Sequence, residues 1–173
     1  MENKLPLQSM TSLLEAITNK LKEGLPGIEA QYEMAPITRP KFDIAQMDAS
    51  SYKKSAVMLL LCPNENGVYI PLTKRQSYNG KHSGQISLPG GKFEEGDGNL
   101  KNTALRECYE EIGIKQHIEV IGNLSPVYIP VSNFYVEPYV GIFTHHEINF
   151  NKNDREVEKL ILLELEKLKQ PEL

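Results

Sequence analysis

Three carboxylates crowd one short stretch of this chain, Arg106-Glu107-Cys108-Tyr109-Glu110-Glu111. On a helix, residues three and four apart share a face, so Glu107, Glu110 and Glu111 come together. Their mutual repulsion weakens a helix, and helix formation alone does not ask for it. A hard divalent ion such as Mg²⁺ does, because it takes oxygen ligands and is held by a few carboxylates together with phosphate oxygens of a substrate. Arg106 can pair with one of these carboxylates and fix its orientation. Taken alone, the hexapeptide reads more readily as the solvated face of a Glu-rich surface helix. The residues upstream tip the balance. Leu88-Pro89-Gly90-Gly91-Lys92 leads into the helix through an acidic loop, Glu94-Glu95-Gly96-Asp97. Consecutive glycines let the backbone approach a ligand closely and can offer a carbonyl to a metal.

The elements that must position these residues follow from period and punctuation. A helix is expected over residues 99–112, capped by Asp97 or Asn99 and stopped by Gly113, with Ala104, Leu105, Cys108 and Ile112 anchoring its other face to a sheet. Strands are expected over residues 55–62 and 67–73, joined by the turn-rich Pro63-Asn64-Glu65-Asn66-Gly67, and over 119–124, 127–130 and 135–143. The glycine-rich stretch 74–98 reads as a functional loop. Beyond Arg155 the pattern suits a strand and then a short helix. Near the start, Leu13, Leu14, Ile17 and Leu21 recur at helical spacing, with Ser12 and Glu15 as a capping box and Gly24, Pro26 and Gly27 as the stop. Residues 28–50 have no clean period and read as an extended arm laid over the domain. Strands interrupted by one central helix indicate a mixed α/β or α+β sandwich. Residues 1–50 are expected to form an N-terminal helix and arm that belong to one domain with residues 51–173.

The chain of 173 residues suffices for one buried core, and its net charge of −4 excludes a broad nucleic-acid footprint, which needs clustered Lys and Arg. It does not exclude a phosphorylated small molecule, since a bound divalent metal supplies local positive charge. Cys62 and Cys108 lie far apart without metal-ligand spacing, and Cys62 ends an apolar run, so buried thiols in a reducing compartment are expected. No signal-peptide core and no apolar run of membrane-spanning length occur, which points to a cytoplasmic protein without a membrane partner.

Gly91, Asp97, Arg106-Glu107, Glu110-Glu111 and Gly113-Ile114 together resemble the Nudix box. That motif runs Gly, five residues, Glu, seven residues, Arg-Glu, an aliphatic, any residue, Glu-Glu, any residue, Gly, an aliphatic. Here Asp97 holds the first acidic position, eight residues separate it from Arg106, and Cys108 stands at the aliphatic position. The resemblance implies an α/β/α sandwich with a mixed central sheet and a loop-helix-loop catalytic motif. It implies a hydrolase of diphosphate linkages that uses Mg²⁺ or Mn²⁺. Glu107 and Glu111 match the principal metal ligands, Glu110 a carboxylate binding metal directly or through water, the carbonyl of Gly90 or Gly91 a further ligand, and Arg106 the orienting arginine. The proton acceptor varies within the family; Glu110, Glu111 or a residue outside the box would serve here.

The segment from Leu72 to Gly91 resembles the additional motif of coenzyme A pyrophosphatases: Leu72, Thr73, Arg75, Gly84, Pro89, Gly90 and Gly91 fit, whereas Pro71, Gln76, Gly80 and Leu88 depart. On this resemblance Arg75, Lys81, His82, Gly84 and Gln85 are the substrate-binding candidates, the cations suiting a 3′-phosphate beside a diphosphate. Lys74 and Arg75 could instead end a strand in solvent, and His82 could merely stabilise a loop. The spacing before Arg106, and Ala30-Gln31 with Met34-Ala35-Pro36 near Arg39, resemble the same branch. Ser132 to Pro138 resembles its substrate-side loop and strand, with Glu137 expected as an exposed strand residue. At the Lys159 position the family usually carries a glutamate; either Glu158 substitutes for it or that catalytic contribution is absent. Tyr128 and Phe134 would flank an adenine or pantetheine group, or belong to the core. The implied reaction splits coenzyme A or an acyl-CoA to 3′,5′-ADP and 4′-phosphopantetheine. A second reading keeps the chemistry on ADP-ribose or a dinucleotide; a third is a Nudix-fold binding module without turnover, which the intact glutamates oppose. The resemblance also raises a homodimer, with the N-terminal arm as its docking element.

Overall fold

The computed structural model describes residues 7–33, 35, 37, 40, 44–76, 84–145 and 147–169. Among them, β1 (Lys53–Asn64) is the central strand. Its residues 53–61 run parallel to β7 (Phe134–Phe143), while its other edge is shared. The C-terminal end pairs antiparallel with β2 (Gly67–Arg75) and the N-terminal part with β4 (Gly90–Lys92). Outside these, β3 (Ile86–Ser87) and β8 (Val157–Glu164) pair with β2, and β5 (Ile118–Asn123) and β6 (Val127–Ile129) pair with β7. The sheet is therefore mixed.

Period-2 alternation along β1 sorts its side chains between two layers. Ala56, Met58, Leu60 and Cys62 pack against Ala104, Cys108 and Ile112 of α3 (Leu100–Ile112). On the opposite face Leu61, Val68, Ile70 and Val140 meet Leu13, Leu14, Ile17 and Leu21 of α1 (Leu7–Glu23). One helix on each face of a mixed sheet makes the expected α/β/α sandwich. Both cysteines are buried and free, and loss of hydration pushes both thiols up to about 12.

Two local expectations are overturned. Residues 28–50 are not simply extended: α2 (Gly27–Glu33) forms there, followed by a 3-10 turn at Ile44–Gln46. A helix of 7 residues is too short to display a hydrophobic period, and it is fixed from outside, with Gln31 Nε2 donating to the carbonyls of Ser125 and Pro126 at 2.9 and 3.2 Å. Ser12 and Glu15 do not cap α1, which begins earlier, at Leu7. By contrast, α1 ends before Gly24, and the tail folds as a strand followed by a 3-10 helix, Leu165–Lys169.

Candidate active site

The loop-helix-loop is assembled from local rules. Asn99 caps α3 by accepting from the Asn102 N–H at 3.0 Å, and Gly113 closes it in the left-handed region at φ 80°. Asp97, the other capping candidate, serves elsewhere. Its buried carboxylate accepts from Arg106 Nε at 2.7 Å and Nη2 at 3.1 Å, from Thr103 Oγ1 at 2.8 Å and from the Glu94 N–H at 2.9 Å. The Arg106 guanidinium holds Asp97 far below the usual carboxylate range, and Asp97 in turn raises Arg106. Arg106 Nη1 also reaches Glu107 at 2.9 Å and Glu110 at 2.8 Å, and its Nη2 donates to the Lys92 carbonyl at 3.0 Å. The predicted pairing with one carboxylate is thus a pairing with three.

The three helix glutamates do not share one environment. Successive helix residues turn by about 100°, which puts Glu110 and Glu111 on opposite flanks of Glu107. Their side chains are 45%, 3% and 13% exposed for Glu110, Glu111 and Glu107 respectively. Glu111 falls on the buried side with Thr103, Ala104, Cys108 and Ile112. Its Oε2 accepts from the buried Thr73 hydroxyl at 3.2 Å and the Gly90 N–H at 3.3 Å, and its Oε1 faces Arg75 Nη2 at 3.7 Å. Burial, against the pull of Arg75, pushes Glu111 up to about 7. Burial also raises Glu107, with the charge of Glu156 adding to it.

Pairing of β4 with β1 fixes the Gly90-Gly91 backbone, with Val57 opposite Gly90 and Ala56 opposite Gly91. A Cβ on Gly90 would run into the Ala56 carbonyl, and one on Gly91 into the Glu107 carboxylate. Backbone leaves no room for a side chain at Gly90, and at Gly91 one would have to displace the Glu107 carboxylate. The Gly90 carbonyl accepts from Arg75 Nη2 at 3.3 Å.

These groups border a cavity of about 480 Å³. Glu107, Glu111, Gly90, Gly91, Arg75 and Gln85 line it; Glu110 does not. Phe134 and Ser132 line it as well. Among the described residues the Ser132 hydroxyl is buried without a hydrogen-bond partner. Gln85 contributes its carbonyl to the Arg75 N–H at 2.9 Å, and Gly84 turns the chain at φ 67°. Lys81, His82, Met34, Pro36 and Arg39 lie outside the described residues. Tyr128 gives its hydroxyl to Asn133 at 2.8 Å rather than lining the cavity. Glu137 is half-buried and accepts from the Tyr139 hydroxyl at 2.8 Å, which corrects its expected exposure.

Sequence reasoning missed Glu156. Glu158, the candidate substitute, instead meets Lys74 at 2.6 Å, while Glu156 borders the cavity. A register shift between β2 and β8 at Lys74 and Arg75 sets this placement, and Asn153 Nδ2 donates to Glu156 Oε1 at 3.1 Å. Nothing in the run Glu156-Val157-Glu158 marks which acid turns inward; a bulge is needed, and bulges leave no period. Asp97 had a signal, its place as the first acid of the box.

Oxygen donors prevail here. The Glu111 carboxylate and the Gly90 carbonyl already attract a cation, the Arg75 guanidinium, as Glu107 attracts Arg106, and such a set of oxygens fits a hard divalent ion. Among the described residues no cluster of three or more acidic, His or Cys side chains is arranged to hold a metal, so the carbonyl, water and substrate phosphate would have to complete the shell.

The NUDIX domain family model matches residues 52–173. A relative from Enterobacter sp. (strain 638), named Nudix hydrolase NudL, is 36% identical over 122 residues, 70% of this chain and 60% of its own length. One of that name from Yersinia pestis (strain Pestoides F) is 33% identical over 149 residues, 80% of this chain and 73% of its own length. The chain therefore spans about 60% of the first of these relatives. Among solved structures, a binary complex of the C. elegans Ap4A hydrolase aligns at TM-score 0.54 and 16% identity, covering 67% of this chain and 82% of that one. The Methanosarcina mazei Go1 MutT protein aligns at 0.53 and 24%, covering 70% and 84%. The NUDIX domain of Shewanella oneidensis NrtR, complexed with ADP ribose, aligns at 0.52 and 18%, covering 83% and 88%. At such identities the likeness establishes a shared fold.

Proposed function

The chain belongs to the Nudix family, and we propose that it is a metal-dependent pyrophosphohydrolase that splits coenzyme A or an acyl-CoA into 3′,5′-ADP and a 4′-phosphopantetheine product. One observation carries the catalytic part: Glu107, Glu111 and the Gly90 carbonyl converge on one cavity that Arg75 also enters. Those three groups would hold Mg²⁺ or Mn²⁺, with Gly91 allowing the close approach and Glu110 acting from outside through water. When bound, the ion neutralises diphosphate oxygens and lowers the pKa of the attacking water.

The chain's own residues do the rest. Arg106, clamped by Asp97, orients Glu107. Arg75 reaches for substrate phosphate, with Lys81, His82, Gly84 and Gln85 on the same segment. Phe134 and the unsatisfied Ser132 hydroxyl face the organic part of the substrate. Glu156 makes no ion pair among the described residues and is the carboxylate left to accept the proton from water. We propose that residues 1–50 belong to one domain with residues 51–173, a reading that the packing of α1 on the sheet supports.

Departures at Pro71, Gln76, Gly80 and Leu88 favour a second substrate, ADP-ribose or another nucleoside diphosphate derivative. The intact Glu107, Glu110 and Glu111 weigh against a silent binding module. Purified protein with Mg²⁺ or Mn²⁺ is to be offered coenzyme A, ADP-ribose and a diadenosine polyphosphate in parallel. Preferential release of 3′,5′-ADP supports the first reading. Preference for ADP-ribose moves the substrate to the second, and ligand binding without product defeats the enzyme reading.

A further inference from the structure

The groups gathered around Glu111 form a closed ring. The Gly90 N–H holds one oxygen of Glu111, the other oxygen faces Arg75, and Arg75 returns to the Gly90 carbonyl. Arg75 thus lies on the two donors assigned above to a divalent ion. Its hold on them is loose. At 3.7 Å the contact with Glu111 is an ion pair without a hydrogen bond, and 3.3 Å to Gly90 is beyond the usual hydrogen-bond distance.

The backbone beneath is pinned on both sides. The Arg75 N–H donates to the Gln85 carbonyl at 2.9 Å, and the next amide, Gln76, donates to the Glu156 carbonyl at 3.1 Å. A fixed backbone carrying a long side chain that is 35% exposed lets the guanidinium turn without moving the strand. A divalent ion seated on Glu111 and Gly90 would draw on the same oxygens and repel the guanidinium by like charge. The cavity is the open direction, since Arg75 already lines it.

We propose that Arg75 is a stand-in for the metal: in the ion-free protein it neutralises the Glu111–Gly90 donor pair, and metal arrival releases it into the cavity to bind substrate phosphate. Arg75 then imposes an order, metal before diphosphate. The inference rests on the metal-site reading of Glu111 and Gly90.

The experiment titrates full-length, substrate-free protein with Mn²⁺, following free ion by electron paramagnetic resonance. Arg75→Gln removes the competing charge and should bind Mn²⁺ at least about fivefold more tightly than wild type, with Arg75→Lys in between. At saturating metal the same Arg75→Gln protein should show a raised KM for whichever of coenzyme A or ADP-ribose is turned over. Wild-type protein supplies an independent readout, because the Arg75 Nε–H resonance should move when Mg²⁺ is added. Equal or weaker Mn²⁺ binding by Arg75→Gln, or an Arg75 resonance that ignores Mg²⁺ at occupancy, overturns the stand-in role. If the wild type still turns over substrate in that case, the metal-site reading survives. If no protein takes up Mn²⁺ and no substrate is split, both fall.

Discussion

Glu111→Gln should stabilise the metal-free protein above neutral pH while abolishing its use of metal. Glu111 is 2% exposed, and burial moves its carboxyl from 4.5 to about 7. Between those values the folded protein holds a proton that the unfolded chain has released. The resulting stability is complete below about pH 4.5 and is lost as pH rises through about 7. At about 1.4 kcal/mol per pH unit, the loss approaches roughly 3 kcal/mol by pH 8. A glutamine has no proton to lose, and its amide oxygen can still accept from Thr73 and the Gly90 N–H. Urea unfolding in EDTA at pH 5 and pH 8 tests this. Wild type and variant should be similar at pH 5, and the variant should be more stable at pH 8 by up to about 3 kcal/mol. Adding Mn²⁺ at about 100-fold above Kd should raise wild-type stability by roughly 2.7 kcal/mol and leave the variant unchanged. Equal pH dependence in the two proteins would refute the argument that Glu111 is a destabilised, buried carboxyl.

Asp97→Asn leaves Arg106 without the counter-charge that receives two of its hydrogen bonds, so a loss of about 3 kcal/mol in urea unfolding is expected, with weaker Mn²⁺ uptake as Arg106 pulls harder on Glu107 and Glu110. Gly91→Ala drives a methyl group into the Glu107 carboxylate; Mn²⁺ affinity by calorimetry should fall about tenfold, an amount that 1.4 kcal/mol of misplacement produces. Leu21→Asp places a charge where α1 meets the sheet beside Gly122, and should cost about 2 kcal/mol within a single unfolding transition; two transitions would separate residues 1–50 from the rest.

Most of the fold was legible because its signals are local. The alternation through Ala56, Met58, Leu60 and Cys62 and the pairing of Asn99 with Gly113 around one amphipathic segment each express a period or a cap. What escaped depends on partners distant in sequence. α2 rests on carbonyls of Ser125 and Pro126, about ninety residues away, and a short helix held from outside has no period of its own. The site divides in the same way. The identity of Glu107, Glu110 and Glu111 was readable, but their separation was not, because a two-state view of a helix as inner and outer face hides the boundary position that Glu111 occupies. Glu156 was invisible for a related reason: the irregular pairing of β2 with β8 decides which acid turns toward the cavity.

Charge explains why these particular groups are assembled. Asp97, Glu107, Glu110, Glu111 and Glu156 surround or border the site, against the guanidinium groups of Arg75 and Arg106. Asp97 takes up much of the Arg106 charge, which leaves Glu107, Glu111 and Glu156 on the cavity facing Arg75 and Lys92 as the cations among its described lining residues. Burial favours the neutral form of Glu107 and, more strongly, of Glu111, which eases part of that excess. A diphosphate arriving with further negative charge would be repelled unless positive charge came with it. On the proposed reading, a recruited divalent cation reconciles the acidity of the chain with a phosphorylated ligand, and the carboxylate and carbonyl oxygens beside Arg75 are where it would be held.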